Sequence, residues 1–398
     1  MAKKSLITGV DIGTAKIKIL GIIKKEEELE IAFQEEERSE GVRKGTIVNP
    51  DQVSTILKES FSRIKKESGL KPDFIFVNIN GAHLFCLPSH GVIAVSRADQ
   101  KISDEDIQRV LHAAQTFSLS LNKEIIDAIP KEFIVDGEKG IKDAAGLQGV
   151  RLEAEVLVLG GFSPYIRNLE KSVLNSGVQI ADIIPSPLAA ARSCLTQRQK
   201  ELGVALIDIG AATTGLVVFE EDDLIHMAIL PNGSSNITNN IAINLKTDVE
   251  IAERIKIEFG TCLFRGKDKR ERIDIGEEEP LIFSHRSLSK GIERGVLEIF
   301  SDIKKELKKI SREKTLPAGI VLTGGGAKIP KIVDLAKKQF KLPSRIGRPK
   351  RIPGIDDPSL STLCGLILEG TESEREKTSD FGEGIGSRLK RIFKIFLP

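Results

Sequence analysis

LITGVDIGTAKIKIL, residues 6–20, places an aspartate and a glycine at the tip of an apolar run, and VALIDIGAATTGLVV, residues 204–218, writes nearly the same thing again. The copies align Asp11 with Asp208 and Gly13 with Gly210, 197 positions apart. Each is a β-rich run, then Asp-Ile-Gly, then small residues, then a second β-rich run. That spacing predicts a hairpin closed by a tight, Gly-containing turn. One such turn says little, but two at a fixed offset form an internal repeat. A third glycine turn, Gly324-Gly325-Gly326, stands between the apolar run Ile320–Thr323 and a helical stretch.

The chain has 398 residues, more than one simple core organises, so two or more domains are expected. Its 40% apolar and 29% charged residues are ordinary for a soluble globular protein. A net charge of +2 gives no global field for nucleic acid, and none is expected as a partner. Cys86, Cys194, Cys262 and Cys364 lack CxxC spacing and the five histidines are dispersed, which fits a reducing cytoplasm rather than a disulfide framework or zinc site. No apolar run reaches the ~18–20 residues of a spanning helix. Lys3 and Lys4 precede an apolar run that Asp11 interrupts, so no signal peptide is expected.

Outward from the first hairpin, residues 5–33 read as strands. Residues 51–67 are helical, with Val53, Ile56, Leu57, Phe61 and Ile64 on one face. Residues 73–96 are strand-like, with Pro88 and Gly91 as breaks. Ser103 followed by Asp104, Glu105 and Asp106 starts a helix reaching about Thr116. Residues 124–135 and 150–160 are strands around a turn region, GEKGIKDAAGLQG. NLEKSVLNSG ends a helix at Gly177, and another starts after Pro187. Beyond the second hairpin, DVEIAERIKIEFG is a helix ending at Gly260, residues 264–280 a charged loop or hairpin tip, and residues 287–310 a long amphipathic helix. Alternating helices and strands favour an α/β architecture. Residues 371–386 are polar and charged and read as a flexible linker.

A phosphate needs backbone N–H groups brought close to it, which glycine permits. A threonine hydroxyl after the turn adds a donor. A carboxylate at the strand end repels a bare phosphate, but holds the water shell of Mg²⁺, which takes few protein ligands. Asp11 and Asp208 therefore make sense as a facing pair around magnesium and a triphosphate. The third glycine turn suits packing against a purine or ribose. Lys18, seven positions after Asp11, and Lys16, on the same strand face, compete for the β-phosphate.

GVDIGT, LIDIGAATTG and IVLTGGGA, in that order, resemble the two phosphate motifs and the adenosine motif of the actin-like ATPase superfamily. PSPLAAA (185–191) resembles its connecting-helix start, and AERIKIEFG (252–260) the helix whose Glu and Lys contact the nucleoside. Within the superfamily the chain looks like the bacterial cell-division FtsA family. SEGVRKGTIVNP, VNINGAH and GIKDAAGLQGVRLEAEVLVL resemble parts of its inserted subdomain, RIGRPKRIPGI follows the glycine turn as in that family, and the chain closes on a linker and a basic helix. The likeness covers residues 5–397.

This resemblance implies an α/β, actin-like (ribonuclease H-like) two-lobed fold, each lobe with a five-stranded sheet, an inserted α+β subdomain in the first lobe and a C-terminal amphipathic helix. The implied division is first-lobe subdomain 1A at 1–81, inserted subdomain 1C at 82–161, a return to 1A at 162–190, subdomain 2A at 191–225, subdomain 2B at 226–300, subdomain 2A with the adenosine motif at 301–370, a linker at 371–385 and a membrane-targeting helix at 386–398. It implies ATP and Mg as ligands. Nucleotide contacts then fall on Gly13, Thr14, Ala15, Lys18, Gly210, Ala211, Thr213, Thr214, Glu253, Lys256, Gly324, Gly325 and Gly326, with Asp11 and Asp208 on the metal through water. Partners implied are the C-terminal peptide of the tubulin-like FtsZ on the 2B region, with Arg265, Lys267 and Arg270 as contacts, further copies of the chain in filaments, and other division proteins on the inserted subdomain. The implied place is the cytoplasmic face of the cell membrane at the division septum.

The tail GIGSRLKRIFKIFLP (384–398) argues for a membrane on its own physics. Wound at ~100° per residue, Ile385, Leu389, Ile392, Phe393, Phe396 and Leu397 share one face and Arg388, Lys390, Arg391 and Lys394 cover the rest. Such a helix lies in an anionic membrane interface. The competing reading docks it on the protein's own core or on a partner.

Two departures qualify the implied chemistry. Ala211 and Ala212 replace glycines of the second phosphate motif, and a Cβ hinders backbone approach. Ser186 stands where hydrolysing relatives place a water-orienting carboxylate, which implies slow or negligible hydrolysis and no assigned catalytic residue. Three other readings share the superfold: a small-molecule kinase, whose catalytic aspartate signature is missing, a pilus-assembly scaffold, which would leave the tail unexplained, and a chaperone, which needs a further peptide-binding domain.

Overall fold

The computed structural model describes residues 5–25, 28–116, 121–274 and 280–379. The first lobe opens with β1 (Ser5–Ile12), β2 (Lys16–Lys25) and β3 (Glu28–Arg38), the short pair β4 (Val42–Arg43) and β5 (Thr46–Ile47), α1 (Pro50–Ser68) and β6 (Phe74–Ile79). An insert follows, made of β7 (Phe85–Ala94), α2 (Asp104–Gln115), β8 (Lys123–Val135), β9 (Glu138–Ile141) and β10 (Arg151–Phe162). The chain returns through α3 (Ser163–Asn175), β11 (Gln179–Pro185), α4 (Ser186–Cys194) and α5 (Gln197–Leu202).

The second lobe begins with β12 (Val204–Ile209), β13 (Thr214–Glu220), β14 (Asp223–Leu230), α6 (Ser234–Leu245), α7 (Val249–Phe259), β15 (Arg270–Ile273), β16 (Leu281–Ser284) and α8 (His285–Lys309). It continues through β17 (Ile320–Thr323), a 3-10 turn at Gly325–Lys328, α9 (Ile332–Phe340) and β18 (Ser344–Ile346), and the last described element is α10 (Ser361–Ser379).

The two large sheets are copies. One runs β11-β6-β1-β2-β3 and the other β18-β17-β12-β13-β14, and in both the outer pairs next to the opening hairpin are antiparallel and the rest parallel. Asp11 pairs with Lys18 and Asp208 with Gly215, so the 197-residue offset in sequence is an equivalence in register. The expected two-lobed α/β architecture, with five strands to each sheet, is what the chain forms.

Local signals explain the helices. Asn49 accepts from the amides of Asp51 and Gln52, Pro50 opens α1, and Gly69 closes it at φ 72°. Val53, Leu57, Phe61 and Ile64 are its buried face. Ser103 and Asp106 form a reciprocal capping box at α2.

Several local expectations are corrected. Pro88 and Gly91 do not break the strand. β7 runs through both because it is an edge strand, where Pro88 needs no ladder donor, and Gly91 admits the backbone of α2 at Val110 and Ala114. The GEKGIKDAAGLQG stretch carries β9. The helix expected after Pro187 starts at Ser186 and is broken at Leu195, with Thr196 capping a separate α5. The charged stretch after α7, by contrast, takes the hairpin alternative: β15 and β16 pair, and Asp268 accepts from Ser284 Oγ and Arg286 N at the start of α8.

The expected linker at 371–385 begins as helix. α10 continues to Ser379, with Thr371 and Ser373 buried and Arg192 bridging Glu369 and Glu372. Its polar composition hides one apolar face, Leu363, Leu366, Ile367 and Leu368 among them, packed on Ile7, Leu20 and Phe76 of the first sheet. The tail at 386–398, with Ile385 before it, lies outside the described residues. No described helix is long and apolar enough to cross a membrane.

Candidate functional site

Both Asp-Ile-Gly turns close by the same backbone bond. Gly13 N donates to Lys16 O at 3.0 Å and Gly210 N to Thr213 O at 2.9 Å. The turns converge between the lobes. Asn80 Nδ2 donates to Thr213 Oγ1 at 3.2 Å, and Gly45 N to Thr14 Oγ1 at 2.9 Å. A Cβ on Gly45 would stand 3.1 Å from the Thr213 methyl, so the loop carrying Gly45 bridges the two turns.

The aspartates at the strand ends are close enough to repel. Burial pushes Asp208 up to about 6, and the Asp11 carboxylate pushes it the same way against Thr362 and Lys18. Asp11 is also raised by burial, against the Lys18 ammonium. Lys18 Nζ lies 3.9 Å from Asp11 Oδ2 and donates to Ser359 O at 2.5 Å, whereas Lys16 is more than half exposed and pairs with Glu36. Of the two candidate lysines, Lys18 is therefore the one beside the aspartates.

Residues without a motif complete the surround. Asn78, 2% exposed, accepts from Ile12 N at 2.6 Å and donates to Asp11 Oδ1 at 2.8 Å and Ser186 Oγ at 2.9 Å. Ser186 passes its own proton to Ile79 O at 3.3 Å, so its hydroxyl is bonded on both sides. Thr362, at the start of α10, donates to Asp208 Oδ2 at 3.3 Å. Of these, Asn78 and Thr362 are not legible in sequence as site residues, because each acts through a strand or helix brought in by the fold.

The glycine triplet packs closely on its own chain. A Cβ on Gly324 would run into Asp208 and the Ile209 carbonyl, and one on Gly326 into the Ile209 side chain. These two glycines seat the third turn against the second hairpin of their own chain. Gly325 alone faces open space and is exposed. Gly324 also takes φ +83°, a region that favours glycine.

Thr214 is fully buried and donates to the Asn232 carbonyl at 2.7 Å, while Thr213 meets Asn80. Ala15 is exposed, and its carbonyl accepts from Ser39 N at 3.0 Å. Ala211 accepts from Ser235 N at 2.7 Å, which ties the second turn to the first residues of α6. Lys256, 6% exposed, donates to Glu253 Oε2 at 2.7 Å, Thr238 Oγ1 at 2.8 Å and Ser234 O at 3.3 Å, so Glu253 and Lys256 stand beside the same end of α6. Arg265, Lys267 and Arg270 are exposed, far along the chain from either turn.

The donor set suits magnesium with a polyphosphate. Two carboxylates with one ammonium near both leave negative charge for a divalent cation, and Mg²⁺ accepts few protein oxygens. No cluster of three metal-ligating side chains occurs among the described residues.

Comparison with known proteins bears on the fold and the family. The family model described as "Cell division protein FtsA" matches residues 205–365, and one described as "SHS2 domain inserted in FTSA" matches residues 81–159. The cell division protein FtsA of Pseudomonas aeruginosa is 34% identical over 382 residues, covering 94% of this chain and 91% of that one. That of Bacillus subtilis is 35% identical over 370 residues, covering 92% and 84%. Among solved structures, a PilM-PilN type IV pilus biogenesis complex superposes with a TM-score of 0.66 at 14% identity, covering 92% of this chain and 98% of that one. MreB5 of Spiroplasma citri bound to ADP gives 0.59 at 14%, covering 95% and 99%. These structures show an actin-like fold. The sequence relatives carry the assignment further: the chain belongs to the FtsA family of cell-division proteins.

Proposed function

We propose that this cell-division protein binds ATP with Mg²⁺ between its two lobes, assembles into filaments and tethers FtsZ filaments to the cytoplasmic face of the membrane at the septum, hydrolysing ATP slowly or not at all. The observation that supports it most is the facing of Asp11 and Asp208 at the ends of two equivalent hairpins, with raised proton affinity and Lys18 alongside. Magnesium, when bound, would screen the charge of the phosphates. Asp11 and Asp208 would hold its water shell, the hydroxyls of Thr14 and Thr213, in the turns that Gly13 and Gly210 close, would donate to phosphate oxygens, and Lys18 would offer an ammonium. Gly325 leaves room for the nucleoside, and Glu253 and Lys256, beside the start of α6, are offered to it.

Ser186 supports slow hydrolysis. Its hydroxyl is 3% exposed, held by Asn78 and Ile79 and uncharged, so it has no basicity to take the proton of an attacking water. The membrane contact rests on the basic amphipathic sequence at 386–398. The exposed Arg265, Lys267 and Arg270 are offered to the FtsZ peptide, and the insert to other division proteins.

The test is equilibrium binding of a fluorescent ATP analogue to the full chain, with and without Mg²⁺, joined to co-sedimentation with anionic vesicles before and after truncation at residue 384. Magnesium-dependent binding and tail-dependent pelleting are expected. Absence of nucleotide binding overturns the first half, and equal pelleting of both forms overturns the second.

A further inference from the structure

The insert is joined to the first lobe by two connections, and one side chain spans both. The chain leaves β6 through Asn80, Gly81, Ala82 and His83, and it returns through Gly161 and Phe162 at the end of β10. His83 Nε2 stands 3.1 Å from the Asn80 carbonyl, and the Phe162 amide points at His83 Nδ1 from 3.2 Å. A carbonyl only accepts and an amide only donates, so the ring is neutral, with its proton on Nε2. Burial favours that neutral form.

Packing leaves the ring little freedom. A Cβ on Gly161 would stand 2.9 Å from His83 Nδ1, and one on Gly81, at φ +115°, 2.9 Å from His83 Cδ2. Tyr165 of α3 packs on the imidazole with ring centroids 5.0 Å apart, and Phe162 on Tyr165 at 5.2 Å. The insert cannot pivot about its two connections without disturbing this ring.

The same backbone reaches the cleft. Asn80 offers its carbonyl to His83, its side-chain oxygen to Gly81 N at 2.8 Å and its side-chain amide to Thr213 Oγ1 at 3.2 Å. Thr213 is the last residue of the second phosphate turn and belongs to the other lobe. One continuous run of hydrogen bonds therefore leads from that turn, through Asn80 and His83, to the closing strand of the insert. Gly45, whose amide bonds Thr14 of the first turn, packs against Asn80, Gly81 and Thr213 at the same point.

We propose that Asn80 and His83 form a relay that sets the attitude of the insert according to what occupies the second phosphate turn. The proposal rests on the nucleotide reading above. A phosphate oxygen that takes the Thr213 hydroxyl reorients it against Asn80, and Asn80 can shift only with the carbonyl that holds His83. Communication between nucleotide and insert then runs through one ring rather than through the sheet. His83 acts here as a positioning residue that touches no ligand.

Hydrogen–deuterium exchange of the full chain, with and without Mg²⁺ and a non-hydrolysable ATP analogue, tests this, with affinity measured in parallel. Nucleotide should slow exchange at residues 83–87 and 159–163 of the natural chain by roughly tenfold, the scale of a modest coupling. His83→Ala should bind the analogue within about twofold of the natural chain and lose that slowing, and His83→Gln, which keeps an acceptor and a donor, should retain it. Should the alanine variant fail to fold, His83→Phe keeps the ring packing without either bond and supplies the same comparison. An insert that responds equally in the variants without bonding capacity overturns the relay, as does one that ignores bound nucleotide. If no nucleotide binds at all, the affinity arm shows that the underlying reading has failed and the relay falls with it.

Discussion

In the β1–β2 hairpin Gly13 N reaches Lys16 O at 3.0 Å, and in the β12–β13 hairpin Gly210 N reaches Thr213 O at 2.9 Å, so the two turns share one backbone. Their surroundings differ. Lys18 faces Asp11 across the first hairpin, and the register puts Gly215 opposite Asp208 in the second. Gly215 has no alternative there, because a Cβ would press on Pro187 of α4 at 2.8 Å. Asn78 donates to Asp11, whereas Asp208 receives a long bond from Thr362. The duplicated unit thus supplies two carboxylates, and the lobes unequal compensation: the first aspartate has a cation and an amide, and the second is pushed up to about 6.

The largest break in that comparison is Lys18→Ala. It removes an ammonium 3.9 Å from a buried carboxylate and should lower the stability of the nucleotide-free chain by ~3 kcal/mol at pH 8 in a denaturant titration. Lys16→Ala, on the exposed neighbour, should change it by less than ~0.5 kcal/mol.

Asp208→Asn should act in the opposite direction. A carboxyl raised from 3.8 to about 6 in the folded state binds protons more tightly there than when unfolded, so its contribution to stability is present at low pH and lost as pH rises from about 4 through 6. The asparagine variant should therefore be more stable than the natural chain at pH 8, by up to ~3 kcal/mol, and the difference should vanish near pH 4. It should also lose magnesium-dependent ATP binding. A variant less stable than the natural chain at pH 8 would show that Asp208 is better compensated than its surroundings indicate.

Gly215→Ala makes the hairpins more alike in sequence and less compatible with the fold. The crowding against Pro187 should destabilise by ~1–3 kcal/mol, read as a lower melting temperature. The equivalent substitution of Lys18 carries no such clash. The smallest effect belongs to Arg38 and Glu250, an exposed pair at 3.5 Å joining β3 to α7 across the lobes. Neutralising either should cost less than ~0.5 kcal/mol, and that little should disappear in high salt.

The hairpins β1–β2 and β12–β13, with β6 and β17, were legible because each is an apolar run ended by a turn residue or glycine, whereas β11, β14 and β18 were not read from the sequence. α1 and α2 were legible from caps. Pro88 was misread as a break because local rules cannot tell an edge strand from a central one. Residues 371–379 were misread as linker because their polar composition continues a helix whose apolar side begins earlier, at Leu363.

The sequence by itself determined that two Asp-Ile-Gly hairpins would form and that a glycine turn would follow a strand, since these depend on period-two patterning and on backbone freedom within a few residues. Only tertiary structure decided which lysine meets Asp11, that Asn78 and Thr362 hold the aspartates, that two of the three glycines serve the chain's own packing, and that His83 ties the insert to the cleft. Those outcomes join residues dozens to hundreds of positions apart. Whether such residues touch is set by how the duplicated sheets and their connecting helices pack, and no local pattern encodes it.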